Sequence, residues 1–189
     1  MEAFLVSTGL VALAEMGDKT QLLSLLLAAR FRKPWPIVAG IFVATLANHA
    51  LAGAVGAWVT NVLGQQTLRW ILGASFIAMA VWMLIPDKLD DDEADTKGSH
   101  LGVFATTVVA FFLAEMGDKT QVATVMLAAR FHAWAQVVAG TTLGMMLANA
   151  PVVWFGDRLV RKVPIRLVHG VSAVIFLLLG AAALAGVGS

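Results

Sequence analysis

The sequence predicts an all-α membrane protein in which six transmembrane helices form two inverted three-helix repeats. Three observations lead to this fold class: an unusually apolar composition, a series of apolar spans long enough to cross a bilayer, and one acidic motif that occurs twice. The first observation sets the class of protein, the second the number of helices, and the third their arrangement.

The composition is that of a protein embedded in lipid. Of the 189 residues, 59% are hydrophobic and only 13% are charged, and the mean hydropathy is +0.83. Soluble domains average about 45–50% apolar and about 25% charged residues. The chain has no cysteine, which excludes disulfides, thiolate metal sites and cysteine nucleophiles. Its basic residues are scattered between apolar segments, so no nucleic-acid-binding surface is expected.

Six apolar spans follow one another along the chain. A helix needs roughly 20 residues to cross a bilayer, and each span approaches or exceeds that length. Because the spans are apolar throughout and do not alternate, helices are favoured over a β-barrel. The predicted spans are 3–29, 35–60, 69–86, 102–129, 133–155 and 165–186.

The two halves of the chain are repeats. The nine residues Leu13–Gln21 recur unchanged as Leu113–Gln121, and Leu27–Phe31 recurs as Leu127–Phe131. Each half holds three spans, an odd number, so the second half has to enter the membrane from the opposite side, as in many secondary transporters. We expect residues 1–86 to form the first repeat, 87–101 an acidic linker, and 102–189 the second, inverted repeat.

The positive charges between the spans predict the orientation. Nine lysines and arginines fall on the side opposite to the N-terminus, and two fall on the same side as the N-terminus. Loops rich in lysine and arginine face the cytoplasm. The linker is therefore expected in the cytoplasm and both termini outside it.

The acidic residues within the spans all belong to the repeated motif: they are Glu15, Asp18, Glu115 and Asp118. A charge at this depth costs at least about 2.5–3.5 kcal/mol, so these side chains are expected to face a cavity inside the bundle. Two acids three residues apart share a face of a continuous helix. The inversion would bring both pairs together near the middle of the membrane. Gly17 and Gly117 would allow a close backbone approach or a local break.

Four carboxylates around one cavity predict a cation site. With two lysines their charges sum to −2, which one divalent ion would neutralise. An all-oxygen site suits Mn²⁺, Ca²⁺ or Mg²⁺, and the ion is cargo, so no cofactor is expected. When the ion leaves, clustered carboxylates are expected to bind protons, which predicts cation/proton exchange. Supporting neutral oxygens are expected from Thr20, Thr120, Gln21, Gln121, Asn48 and Asn149, and Lys19 and Lys119 are expected to orient or neutralise the acids.

Histidines are not expected in this site. His49 lies in the second span, but its repeat counterpart is Ala150, which argues against a ligand shared by both halves. The other three, His100, His132 and His169, fall in loops or at span ends and are expected at the surface.

Other interpretations remain open at this stage. The same architecture could carry Ca²⁺ or Mg²⁺, the paired carboxylates could serve an intramembrane enzyme as acid and base, or the charges could fasten a structural subunit. Catalysis rarely needs two identical, oppositely oriented motifs, and buried ion pairs stabilise poorly compared with apolar packing. Transport is therefore the favoured function.

Two copies of Glu-x-Gly-Asp-Lys-Thr, each in the first span of a three-span half, resemble the E-x-G-D-(K/R)-(T/S) family of cation/proton exchangers. That family includes bacterial manganese exporters and Golgi manganese/calcium transporters. The resemblance covers essentially the whole chain, including the acidic central loop. It implies that Glu15, Asp18, Glu115 and Asp118 bind the cation, that this cation is Mn²⁺ or else Ca²⁺, and that protons are exchanged for it. Compact size and the lack of targeting extensions favour a location in the bacterial inner membrane.

Overall fold

A computed structural model describes residues 1–85, 102–156 and 164–186, so the predicted linker 87–101 lies outside the described residues. The regular structure in these ranges is α-helical throughout. Its eight helices are α1 (Glu2–Glu15), α2 (Lys19–Phe31), α3 (Pro34–Val62), α4 (Gln65–Trp82), α5 (Val103–Glu115), α6 (Lys119–Phe131), α7 (Trp134–Phe155) and α8 (Ile165–Leu184).

Four of the six predicted spans are single helices, namely α3, α4, α7 and α8, with ends within four residues of the prediction. Spans 3–29 and 102–129 are each divided in two at the acidic motif, so of the two roles expected of Gly17 and Gly117 the structure shows the local break. By length and composition α3, α7 and α8 could each cross a membrane. The paired helices have only 13 or 14 residues, about 20 Å, so crossing would need both members of a pair.

The interior contains buried hydroxyl groups beside its apolar core, and much of the surface is apolar. The hydroxyl residues Ser7, Thr45, Thr107 and Thr124 are fully buried, whereas large apolar side chains are more than half exposed, including Leu5, Trp58, Val81, Phe155 and Leu178. In soluble proteins, serine and threonine are mostly exposed and large apolar residues are mostly buried. This distribution is typical of an integral membrane protein.

The two halves of the chain pack crosswise. Helix α1 packs against α7, and the equivalent helix α5 packs against α3, while α4 packs against α8. Small residues allow both close crossings. A Cβ on Gly140 would lie 2.5 Å from the carbonyl oxygen of Phe4, and a Cβ on Gly40 would lie 2.7 Å from Cβ of Thr107. The first helix of each half is therefore held by the other half.

Helices α3 and α7 occupy equivalent places in the two halves and run in opposite directions. Trp35 at the start of α3 meets Trp154 near the end of α7, with ring centroids 5.5 Å apart. Further along α3, the carbonyl oxygen of Ala50 accepts a hydrogen bond of 3.2 Å from the indole N–H of Trp134 at the start of α7. These contacts fix an antiparallel pair at the centre of the protein.

We predict that Gly140→Ala destabilises the protein, because the new methyl group would push α1 away from α7. Overpacking of this kind costs about 1–3 kcal/mol. Gly9→Ala is the matched control, since Gly9 is an exposed glycine of α1 with nothing within 4 Å of its added Cβ. Thermal unfolding of the purified protein should show a lower Tm for Gly140→Ala and an equal or higher Tm for Gly9→Ala. Equal Tm values for the two variants would contradict the close crossing.

Candidate metal site at the broken helices

Both copies of the acidic motif break a helix in the same way. Gly17 and Gly117 have φ values of 83° and 77°, in the left-handed region that favours glycine. Asp18 and Asp118 follow in extended conformation and precede α2 and α6. The backbone N–H of each glycine donates to the side-chain oxygen of the glutamine four residues later, at 3.0 Å in the first motif and 2.7 Å in the second. Glycine thus supplies the turn, and glutamine satisfies an N–H that the turn leaves without a helical partner.

The break overturns one detail of the sequence prediction. Glu15 is the last residue of α1 and Asp18 comes just before α2, so these two acids do not share the face of one continuous helix. Glu115 and Asp118 are separated in the same manner. The i, i+3 spacing brings side chains together only while the helix continues, and the left-handed glycine ends it.

Three of the four predicted acids form a cluster. One carboxylate oxygen from each of Glu15, Glu115 and Asp118 lies within 4.8 Å of the other two, and all three residues are buried. Asp18 is also buried, and its charge acts on Glu115, but it does not belong to this group of three. The cluster therefore combines one acid from the first motif with two from the second.

Threonine hydroxyls fix the two glutamates. Thr20 donates to Oε2 of Glu15 at 2.6 Å, and Thr120 donates to Oε2 of Glu115 at 2.9 Å. The other carboxylate oxygen of each glutamate, Oε1, is buried and has no hydrogen-bond partner among the described residues. Buried polar atoms are nearly always satisfied. Carboxyl oxygens without a hydrogen-bond partner, in a cluster of three acids, are suited to binding a cation.

Side chains from α3 and α7 support the breaks. Asn48 on α3 donates to the carbonyl oxygen of Phe112 at 3.0 Å and accepts from Gln121 at 3.5 Å, so it contacts the second motif. On α7, the carbonyl oxygen of Ala148 accepts from Gln21 at 3.1 Å, in the first motif. The hydrogen bonds of these amides are therefore to main-chain groups around the breaks and to one another.

Asn149 on α7 has a partner that the sequence prediction missed. Its side-chain oxygen accepts a hydrogen bond of 2.9 Å from Ser24 of α2, and its amide nitrogen donates to the carbonyl oxygen of Met145 at 3.2 Å. The repeat counterpart of Ser24 is Thr124, so a hydroxyl occurs at both positions. That shared residue type is the signal that could have identified Ser24.

The two motif lysines make different contacts. The ammonium of Lys19 lies 3.7 Å from a carboxylate oxygen of Asp118, which links the first motif to the second. Lys119 donates a hydrogen bond of 2.7 Å to the carbonyl oxygen of Ile85, just beyond the end of α4. Both lysines thus anchor the surroundings of the acids, and one of them contacts a member of the cluster directly.

Neighbouring side chains also pack more closely over the first break than over the second. A Cβ on Gly17 would lie 2.7 Å from the side chain of Ile165, whereas a Cβ on Gly117 would meet nothing within 4 Å. His169 of α8 forms a hydrogen bond of 3.0 Å with the carbonyl oxygen of Met16. His169 is half-buried, so it lies at the surface only in part, and α8 rests on the first motif. Met16 is half-buried, while its counterpart Met116 is exposed.

Relatives of known description match over nearly the whole chain. A protein described as "Putative manganese exporter" from Vibrio cholerae is 53% identical over 183 residues, covering 96% of this chain and 90% of the relative. A GDT1-like protein of Synechocystis is 25% identical over 197 residues, covering 94% of each chain. GDT1-like protein 3 of Oryza sativa is 25% identical over 200 residues, covering 93% of this chain and 71% of the relative. No solved structure matches.

The family comparison agrees with the duplicated site. The model of the family described as "Divalent cation/proton antiporter GDT1" matches residues 3–91 and 103–188, one segment in each half of the chain. The two segments include both copies of the motif and all eight helices except the first residue of α1. The chain belongs to the GDT1 family of divalent cation/proton antiporters.

Proposed function

We propose that this protein exports Mn²⁺ from the cytoplasm in exchange for protons, through one site to which both motifs contribute. The observation that carries the proposal is the buried cluster of Glu15, Glu115 and Asp118, with oxygens within 4.8 Å of one another. The family's description as divalent cation/proton antiporters and the name of the Vibrio relative support the same substrate class.

The spacing of the carboxylates suits a hard divalent cation. Metal–oxygen distances are about 2.0–2.1 Å for Mg²⁺ and about 2.3–2.6 Å for Ca²⁺, so oxygens on opposite sides of an ion are roughly 4–5 Å apart. The oxygens of the cluster are no more than 4.8 Å apart, close enough to share such an ion, and Mn²⁺ also takes carboxylate ligands. Asp18 completes the proposed set of four acids, because it is buried and its charge acts on Glu115.

The proposed architecture is six transmembrane segments in two inverted repeats, 1–86 and 102–189, joined by the linker 87–101. Two observations support it. Equivalent helices α3 and α7 run antiparallel, as expected when repeats are related by an axis in the membrane plane. Both motifs also share their backbone conformation. In this proposal α1 with α2, and α5 with α6, each form one broken segment.

The proposed location is the bacterial inner membrane, with both termini outside the cytoplasm. The nine-to-two distribution of lysine and arginine supports this orientation. An inward proton gradient then drives the metal outward. Each turnover begins when the acids bind Mn²⁺ from the cytoplasmic side. After the metal leaves on the other side, protons neutralise the carboxylates, which otherwise repel one another at this separation.

We predict that Glu15→Gln and Asp118→Asn each reduce Mn²⁺ flux in proteoliposomes by at least about 100-fold, since even outer-shell changes cost about 10–100-fold. Glu2→Gln is the matched control: it makes the same chemical change at an exposed acid in the first turn of α1. Both site variants should elute from size exclusion as the wild type does. A scaffold or structural subunit would instead lose assembly, and an intramembrane enzyme would show no metal flux in any variant.

We predict that Mn²⁺ movement in one direction drives proton movement in the other. Proteoliposomes loaded with a pH-sensitive dye should show a pH change on addition of Mn²⁺, and an imposed proton gradient should accelerate Mn²⁺ flux. Liposomes that contain Asp118→Asn protein serve as the control for leakage. Mn²⁺ transport that is independent of pH on both sides would contradict proton exchange.

We predict that Mn²⁺ competes most effectively for the site. In uptake by proteoliposomes, unlabelled Mn²⁺ should suppress labelled Mn²⁺ flux at lower concentration than Ca²⁺, and Mg²⁺ should be the weakest, since Mg²⁺ gives up its water reluctantly. Stronger competition by Ca²⁺ would indicate that the same architecture carries Ca²⁺ as its substrate. A preference for Mg²⁺ would contradict the proposed substrate.

A further inference from the structure

Lys19 places a positive charge beside the carboxylate cluster. Its ammonium lies 3.7 Å from Asp118, and the two side chains are only 13% and 5% exposed. The pair joins the start of α2 to the residue before α6, so it connects the two halves of the chain directly at the proposed metal site. Its charge also acts on Glu115, a second member of the cluster.

The repeat supplies a comparison within the same molecule. Lys119 occupies the equivalent position in an identical stretch of sequence, and its ammonium donates to the main-chain oxygen of Ile85 at 2.7 Å. The contact of Lys19 with Asp118 joins the two halves of the chain and therefore depends on their tertiary arrangement.

An ammonium and a divalent cation at Asp118 would repel each other. Two unit charges about 4 Å apart interact far more strongly in a protein interior than in water, and a divalent ion doubles the effect. Screening by salt is also weak for buried charges. Whether Lys19 remains beside Asp118 or leaves it, its positive charge lowers the affinity of the cluster for the metal.

We propose that Lys19 is a built-in competitor of the transported cation: its ammonium pairs with Asp118 when no ion is bound and is displaced from Asp118 when a divalent cation binds. This inference rests on the proposed metal site and assigns to one motif lysine a role in releasing the ion. A transporter has to bind its ion firmly enough to capture it and weakly enough to release it. A tethered positive charge that returns to Asp118 favours release.

A purely orienting role for Lys19 predicts the opposite result. If the ammonium served only to hold Asp118 in position for the metal, removing it would weaken binding. If it competes with the metal, removing it strengthens binding. The sign of the change in affinity therefore separates the two roles.

The test is Mn²⁺ binding to the purified full chain, measured by isothermal titration calorimetry for the wild type, Lys19→Gln, Lys19→Met, Lys19→Arg and Lys33→Gln. We expect both neutral variants at position 19 to lower the Kd by about tenfold or more, and Lys19→Arg, which keeps the charge, to stay near the wild type. Lys33→Gln makes the same chemical change at an exposed lysine and should change the Kd by less than about threefold. In proteoliposomes, the tighter-binding variants should release the ion more slowly and show a lower maximal flux.

An unchanged or higher Kd for a folded, neutral position-19 variant would overturn the competitor role. As long as the wild type binds Mn²⁺, that result would not affect the proposed function. Equal tightening by Lys33→Gln would also overturn the competitor role, because the effect would then reflect overall charge and not the contact with Asp118. Failure of the wild type to bind any divalent cation would instead reject the proposed function itself. Having two neutral variants keeps the test decisive if one of them does not fold.

Discussion

Glu15, Glu115 and Asp118 are acidic groups held within 4.8 Å of one another in the interior of an apolar protein. When ionised they repel one another, and the low dielectric of their surroundings makes the repulsion large. Apolar side chains would stabilise the interior better than charges do. The surrounding structure keeps these three groups together. The broken helices position the acids, threonine hydroxyls bind the two glutamates, and the ammonium of Lys19 lies beside Asp118.

The crossed packing of the two halves makes that arrangement possible. Because α1 packs on α7 and α5 packs on α3, each broken helix is supported by the other half of the chain. The amide of Asn48 on α3 contacts the second motif, and the backbone of α7 contacts the first through Gln21. Any relative movement of the halves would change the distances between the acids. A movement of one half relative to the other would therefore change the geometry of the proposed metal site.

Much of this arrangement could be predicted from the sequence, because it depends on local and repeated features. The four acids, the threonines beside them and the glycines that allow a break are all contained in nine residues that occur twice. What failed was the shared helical face of Glu15 and Asp18, because the spacing alone did not decide whether Gly17 would break the helix. The contacts of Lys19 with Asp118 and of Lys119 with Ile85 were also beyond prediction, because they depend on tertiary neighbours and not on the motif.

If the two motifs together form one site, each chain binds a single Mn²⁺. Calorimetric titration of the purified protein with Mn²⁺ measures this number directly. We expect one Mn²⁺ per chain in the wild type, and loss of that binding in Glu115→Gln even though the first motif is intact. Two ions per wild-type chain, with one still bound by Glu115→Gln, would show that each motif binds its own ion and would rule out a shared site.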